Sequence, residues 1–263
     1  MARKFKAPQS IKNYIHGVRT VHLCVGLPFD HHKQFDFSLV FRGIARVSKH
    51  VVKKALPITP EILSNIKIQL NLCDPSDATY WCLFVLGFLL MARKSNLVPP
   101  SALAFDPSKH LCRGDIYFNA TGLFVKFKWS KTNQNSERNV VIPLLQAPQS
   151  PLCPLFAFKN MIRLVPAHPG SPVFLKSSGN SLVPLTHADL VSRLRFLLGK
   201  IGPNAENFSG HSFRRGGASW AFKAGVPGEL IMLHGDWRSN AYLEYLERDL
   251  KTRCSVSLLM LNI

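Results

Sequence analysis

Apolar positions along the chain follow two periods, one helical and one alternating, and their order predicts the layout. Residues 10–25 set Ile11, Tyr14, Ile15, Val18 and His22 on one face of a basic amphipathic helix, with Ser10 as its cap. A second helix is expected over 37–47. The basic stretch 46–54 carries neither period, ends at Leu56-Pro57, and reads as a linker. Thr59-Pro60-Glu61 then has the marks of a helix start: a hydroxyl cap, a proline in the first turn and an acid beside it. That helix runs to about Leu72. Residues 77–93 are apolar nearly all round, which predicts the buried helix of the main domain.

From residue 115 the period shortens. The segments 115–118, 122–128 and 138–143 alternate and are separated by polar turns, which predicts a small antiparallel meander. Helical spacing returns over 152–164, 187–200, 212–224, 227–233 and 239–251. Thr186 caps the second of these, with Asp189 three residues on. Residues 173–175 suggest one more short strand. The expected fold is mainly α with a small antiparallel β-sheet, an α+β architecture. Two parts are expected: a helical unit and linker over 1–56, short for a core of its own, and a main domain over 57–263.

Charge changes the picture from a fold to a partner. The 263 residues hold 33 Lys and Arg against 15 Asp and Glu, a formal +18. Residues 1–56 carry 11 basic and 2 acidic side chains, so about a fifth of the length holds half of that excess. Such a field calls for a polyanion, with nucleic acid ahead of an acidic membrane surface; DNA or RNA binding is preferred to the plainer explanation of a solvated basic face. The six cysteines never form Cys-x-x-Cys, so neither a zinc pattern nor a disulfide framework is expected, and a reducing, intracellular setting is. No Asp, Glu and His cluster has metal-ligand spacing. The apolar run 81–91 is too short to span a bilayer, which needs roughly 20 residues, and the first residues lack a signal-peptide core.

Candidate chemistry begins at Gly210-His211-Ser212-Phe213-Arg214-Arg215-Gly216-Gly217. A histidine and an arginine three apart at a helix start share a face, where a guanidinium grips two phosphate oxygens and an imidazole exchanges a proton. Other pieces are individually bland. Arg93 could cap its own helix, Lys131 could be a solvated turn lysine, and Trp237, Tyr242 and Tyr245 could be core.

Their order is not bland. Arg93-Lys94-Ser95-Asn96-Leu97, Lys131 in a turn between strands, His211 to Ala218, and Gly235-Asp236-Trp237 leading to Tyr245 together resemble the tyrosine recombinase (phage-integrase) family. The likeness is greatest to the recombinases of DIRS-type retroelements and related eukaryotic transposons, over roughly residues 57–250. The resemblance implies a site-specific DNA recombinase that cuts and rejoins double-stranded DNA through a 3′-phosphotyrosine, without metal, ATP or other cofactor. It implies Tyr245 as nucleophile, with Tyr242 the alternative, and Arg93 and Arg214 clamping the phosphate oxygens. Lys131 would protonate the leaving 5′-oxygen and His211 would act as general base. Trp237 would hold the phosphate, with His234 the alternative. It also implies a truncated core-binding unit over 1–56, a tetramer on paired DNA sites, a nuclear setting, and a C-terminal tail, 255–263, docked on a neighbour or folded on its own core. Many family members carry an acid a few residues after the first arginine to orient it; here Asn96 stands there. The competing expectations are a domesticated DNA-binding protein that no longer cuts, and a basic RNA-binding module that lacks any RNA-binding signature.

Overall fold

The structure is a computed structural model that describes residues 7–29, 35–47, 54–130, 140–179, 181–202 and 204–246. It divides into two compact units, Met1–Lys54 and Ala55–Ile263. The first holds α1 (Pro8–Cys24) and α2 (Phe35–Val47). Ala7, not Ser10, is the cap of α1, because Pro8 at the first helical position already begins the helix. Of the face expected to be apolar, only Ile11 is buried; two helices enclose too little volume to cover more. The expected linker falls mostly on residues 48–53, outside the described residues.

The second unit is built around α4 (Pro75–Leu89), whose residues from Ala78 to Phe88 are all buried. A helix apolar on every side can only be surrounded, and α3 (Pro60–Ile68), α6 (Pro154–Leu164), α7 (His187–Ile201) and α8 (His211–Lys223) accompany it in the unit. Its N-terminus is capped by the Asp74 carboxylate, which accepts from Asp77 N at 2.9 Å. Thr59 caps α3, and Thr186 and Asp189 form a capping box on α7, both as their sequences require. The α8–α4 approach is close enough to depend on glycine. A Cβ on Gly217 would lie 2.2 Å from the Phe88 carbonyl oxygen, and one on Gly216 would lie 1.9 Å from that of Ile58. The Gly216-Gly217 pair is therefore a packing device that lets α8 nest against the core and carry Arg214 with it.

The sheet has order β1-β2-β3, all antiparallel: β1 (Ile116–Phe118), β2 (Gly122–Phe127) and β3 (Val140–Leu145). Asn119 turns β1 into β2 by accepting from Thr121 N at 2.8 Å. Pro143 is tolerated in β3 because that strand pairs on one side only. Phe127 pairs with Val140 at the open end, the base of the hairpin whose tip residues, 131–139, are outside the described set.

Three sequence expectations need correction. Of the strand expected at 173–175 only Leu175 is in one, as the first residue of β4 (Leu175–Ser178), which pairs with β5 (Ser181–Pro184) in a second hairpin where Gly179 takes φ 59. These strands are short and only Leu175 in them is buried, so hydrophobic alternation hardly marks them. The buried helix ends at Leu89 and not at Arg93; Met91 takes φ 47, and the chain reverses before α5 (Lys94–Leu97). Within the described part of 239–251 the chain forms a 3-10 turn, Asn240–Glu244, in place of an α-helix.

Candidate functional site

Arg93 is the N-cap residue of α5, not the last residue of α4. The early end of α4 and the left-handed Met91 move it out of the core to a half-buried position, so the reading of a charge capping its own helix end does not apply. Asn96 lies three residues further on and is buried. Its amide donates to the Trp129 carbonyl at 3.1 Å and ties α5 to the base of the β2–β3 hairpin.

His211 and Arg214 open α8. Arg214 is 1% exposed, and its guanidinium donates to the Met91 carbonyl, the one that the left-handed turn redirects. Trp237 lies over the guanidinium face at 3.6 Å and Tyr245 follows at 5.4 Å. The two rings meet edge to face, 5.4 Å apart. Desolvation, then the like charge of Arg93, pushes the Arg214 pKa down to about 9; the acidic groups of Tyr245 and Asp236 oppose the fall. The guanidinium stays charged at neutral pH. Its Nε and Nη2, with Nε1 of Trp237, are buried without a hydrogen-bond partner among the described residues. Three N–H donors left in that condition around one cation are costly, and a tetrahedral oxyanion would satisfy them.

The Trp237 position depends on its neighbours. A Cβ on Gly235 would lie 1.7 Å from the indole, so only glycine lets the ring fold back. Asp236 follows at φ 53, and its carboxylate accepts from Ser130 Oγ at 2.6 Å. Ser130 directly precedes Lys131, which lies outside the described residues. The hairpin base is thus tied to α5 through Trp129 and to the tryptophan segment through Ser130. Neither Ser130 nor Asp236 was singled out from the sequence as a partner of the other, because nothing local marks a pair 106 residues apart.

His234 is engaged elsewhere: its Nε2 lies 2.8 Å from the Leu89 carbonyl. Tyr242 and Tyr245 are three apart on a 3-10 turn, where such positions eclipse, so both face Trp237, at 6.3 and 5.4 Å. They differ in what holds them. The Tyr242 hydroxyl abuts Gly228, where an added Cβ would come within 2.3 Å of it, whereas the Tyr245 ring lies 5.4 Å from the Arg214 guanidinium. Ser219 Oγ donates to the Tyr245 carbonyl at 3.0 Å and fixes that residue to α8.

His211 is solvent-exposed at the head of α8. Partial desolvation and the charges of Lys94, Arg214 and Arg93 hold its pKa below the usual value. Lys94, a motif residue to which the resemblance gives no role, is the first cation in that field. Its side chain also packs on Gly210, where a Cβ would sit 2.8 Å from the lysine Cδ. The structure therefore gathers Arg93, His211, Arg214, Trp237 and Tyr245 around a half-enclosed cationic site.

Among the described residues no group of three or more His, Cys, Asp or Glu side chains could hold a metal ion, and no helix is long and apolar enough to cross a membrane.

No protein-family model matches the chain, and no curated protein is similar to it. Solved structures are. The XerA recombinase has TM-score 0.57 at 11% identity over 99% of this chain and 78% of its own. The Tn1549 transposon integrase, in complex with circular intermediate DNA, has TM-score 0.55 at 13% identity over 95% and 79%. The site-specific recombinase XerH, bound to its difH substrate, has TM-score 0.54 at 13% identity. This chain is covered over 82% in that comparison and spans 58% of the XerH chain. The mostly helical unit with its small antiparallel sheet has the fold of the tyrosine recombinase catalytic domain.

Proposed function

We propose that the chain is a site-specific DNA recombinase that breaks and rejoins strands through a phosphotyrosine. The observation that carries the reading is the set of buried, unpartnered donors on Arg214 and Trp237, with the Tyr245 ring 5.4 Å from the same guanidinium. A phosphodiester seated there would meet Arg93 and Arg214 on its non-bridging oxygens and the Trp237 N–H beside them. The Tyr245 oxygen attacks phosphorus, the bond to the 5′-oxygen breaks, and the phenol proton passes to His211. Lys131, from the hairpin that Ser130 anchors, supplies the proton to the leaving 5′-oxygen. The phosphoester is kept, so a second 5′-hydroxyl reverses the step on another strand. Two strands of two duplexes need four nucleophiles, hence a tetramer. The resemblance to DIRS-type recombinases adds a transposable-element role and a nuclear setting, with residues 1–56 as part of a core-binding clamp.

The test is incubation of the full chain with DNA nicked just downstream of the scissile phosphate, so that the short fragment bearing the freed 5′-hydroxyl diffuses away and the covalent adduct accumulates. An adduct resistant to denaturant is expected. Binding without adduct would instead identify a DNA-binding protein that keeps the fold but does not cut.

The pH dependence of that adduct has a defined sign. His211 works as a base only when neutral, and its pKa is held below the ordinary value. Adduct formation should stay level through neutral pH and fall only on a limb below about 6.5. Lys94→Gln removes one cation of the field, so the imidazole pKa rises and the limb moves to higher pH. A limb that does not move in Lys94→Gln would exclude His211 as the titrating base.

A further inference from the structure

A second cation of the main unit is buried without a counter-charge, and it shares no residue with the site above. Arg113 opens the 3-10 turn Arg113–Asp115 that leads into β1 and is 7% exposed. Its Nε and Nη2 are buried with no hydrogen-bond partner among the described residues. Asp115, the nearest carboxylate along the chain, is committed: it pairs with Lys128 Nζ at 2.7 Å and accepts from Cys112 N at 2.7 Å. The acidic group whose field reaches Arg113 is the Cys82 thiol, and burial drives that thiol far above its usual range, so it is neutral. An arginine taken out of water this way is costly unless an anion joins it.

Arg113 lines a pocket of about 510 Å³. Phe118 and Phe158, edge to face at 6.2 Å, form an aromatic wall. Lys159 and Arg163 stand exposed at its rim, the lysine Nζ 5.0 Å above the Phe118 ring. The remaining lining is apolar or glycine, and no acidic side chain takes part. Three cations, one of them buried, around an apolar hollow constitute a receptor for one kind of chemistry.

We propose that this pocket binds an oxyanion, phosphate or carboxylate, carried on an aromatic or otherwise apolar body, with Arg113 as its counter-ion. The apolar part lies against Phe118 and Phe158, and the two rim cations draw the anion in. The inference does not rest on the recombinase reading, since it uses none of that site's residues.

The test uses the full chain at low ionic strength with phenyl phosphate, benzoate and the neutral benzyl alcohol as probes, followed by thermal shift and calorimetry. Saturable stabilisation by one or both anions, and none by benzyl alcohol, is expected. Tighter binding of phenyl phosphate assigns a phosphoryl ligand, and tighter binding of benzoate a carboxylate. Arg113→Met should weaken binding about tenfold or more, the effect of removing a charge-assisted pair. Its melting temperature should be no lower than that of the wild type, because the substitution removes an unpaired buried charge. The exposed pair Lys159→Gln, Arg163→Gln leaves the core intact and should weaken binding several-fold by itself. No saturable binding of either anion to the wild type, or an affinity unchanged from the wild type in Arg113→Met and in the rim double variant, would overturn the proposal.

Discussion

Replacing Tyr245 with phenylalanine is expected to abolish the covalent DNA adduct, a loss of about 10⁴-fold or more, while DNA affinity changes only a few-fold. The phenol oxygen enters the bond that forms, so its removal leaves no other nucleophile in position. The fold should tolerate the change: the ring stays against Trp237, and the Tyr245 backbone keeps its bond from Ser219. Tyr242→Phe is the matched control. Its hydroxyl rests against Gly228 and not on Arg214, so adduct formation should fall by no more than a few-fold. The reverse outcome, with Tyr242→Phe inactive and Tyr245→Phe active, assigns the chemistry to the other tyrosine.

Arg214→Lys should cost about 10³-fold in adduct formation, although the charge is kept. Lysine has no planar fork to span two phosphate oxygens and no flat face for the Trp237 indole at 3.6 Å. The buried donors that the site presents would be reduced to a single ammonium on a flexible stem. Because phosphate affinity in the ground state uses other cations as well, binding of uncut DNA should weaken much less than cleavage. A variant that cuts at near wild-type rate would mean that Arg214 serves the core and not the phosphate.

Much of the framework can be read locally. The all-round apolar run that becomes α4, the caps Thr59 and Thr186, and the alternation of β2 each express a requirement met within one segment. The hairpin β4–β5 escaped because its strands pair with each other and bury little, so hydrophobic alternation hardly marks them. The 3-10 turn that holds both tyrosines escaped for the opposite reason. Its spacing of three suits an α-helix equally well, and the cluster of Met91, Ala218, Ile231, Trp237 and Leu246 on which Tyr242 and Tyr245 pack is assembled from segments far apart in the chain.

By itself the sequence determined the helical main domain with its small sheet, the basic charge, and the order Arg93, Lys131, His211, Arg214, Trp237, Tyr245, because period, composition and motif order are properties of neighbouring residues. Tertiary structure alone decided that Arg214 is buried while His211, three residues away, is open to water. It decided that the two glycines after Arg215 serve helix packing, and that Ser130 and Asp236 join the hairpin base to the tryptophan segment. It also left Arg113 without a counter-charge in a pocket of cations and aromatic rings. Each of these depends on contacts between segments far apart in the chain, where the cost of a buried charge or a missing Cβ is set by what the fold brings against it.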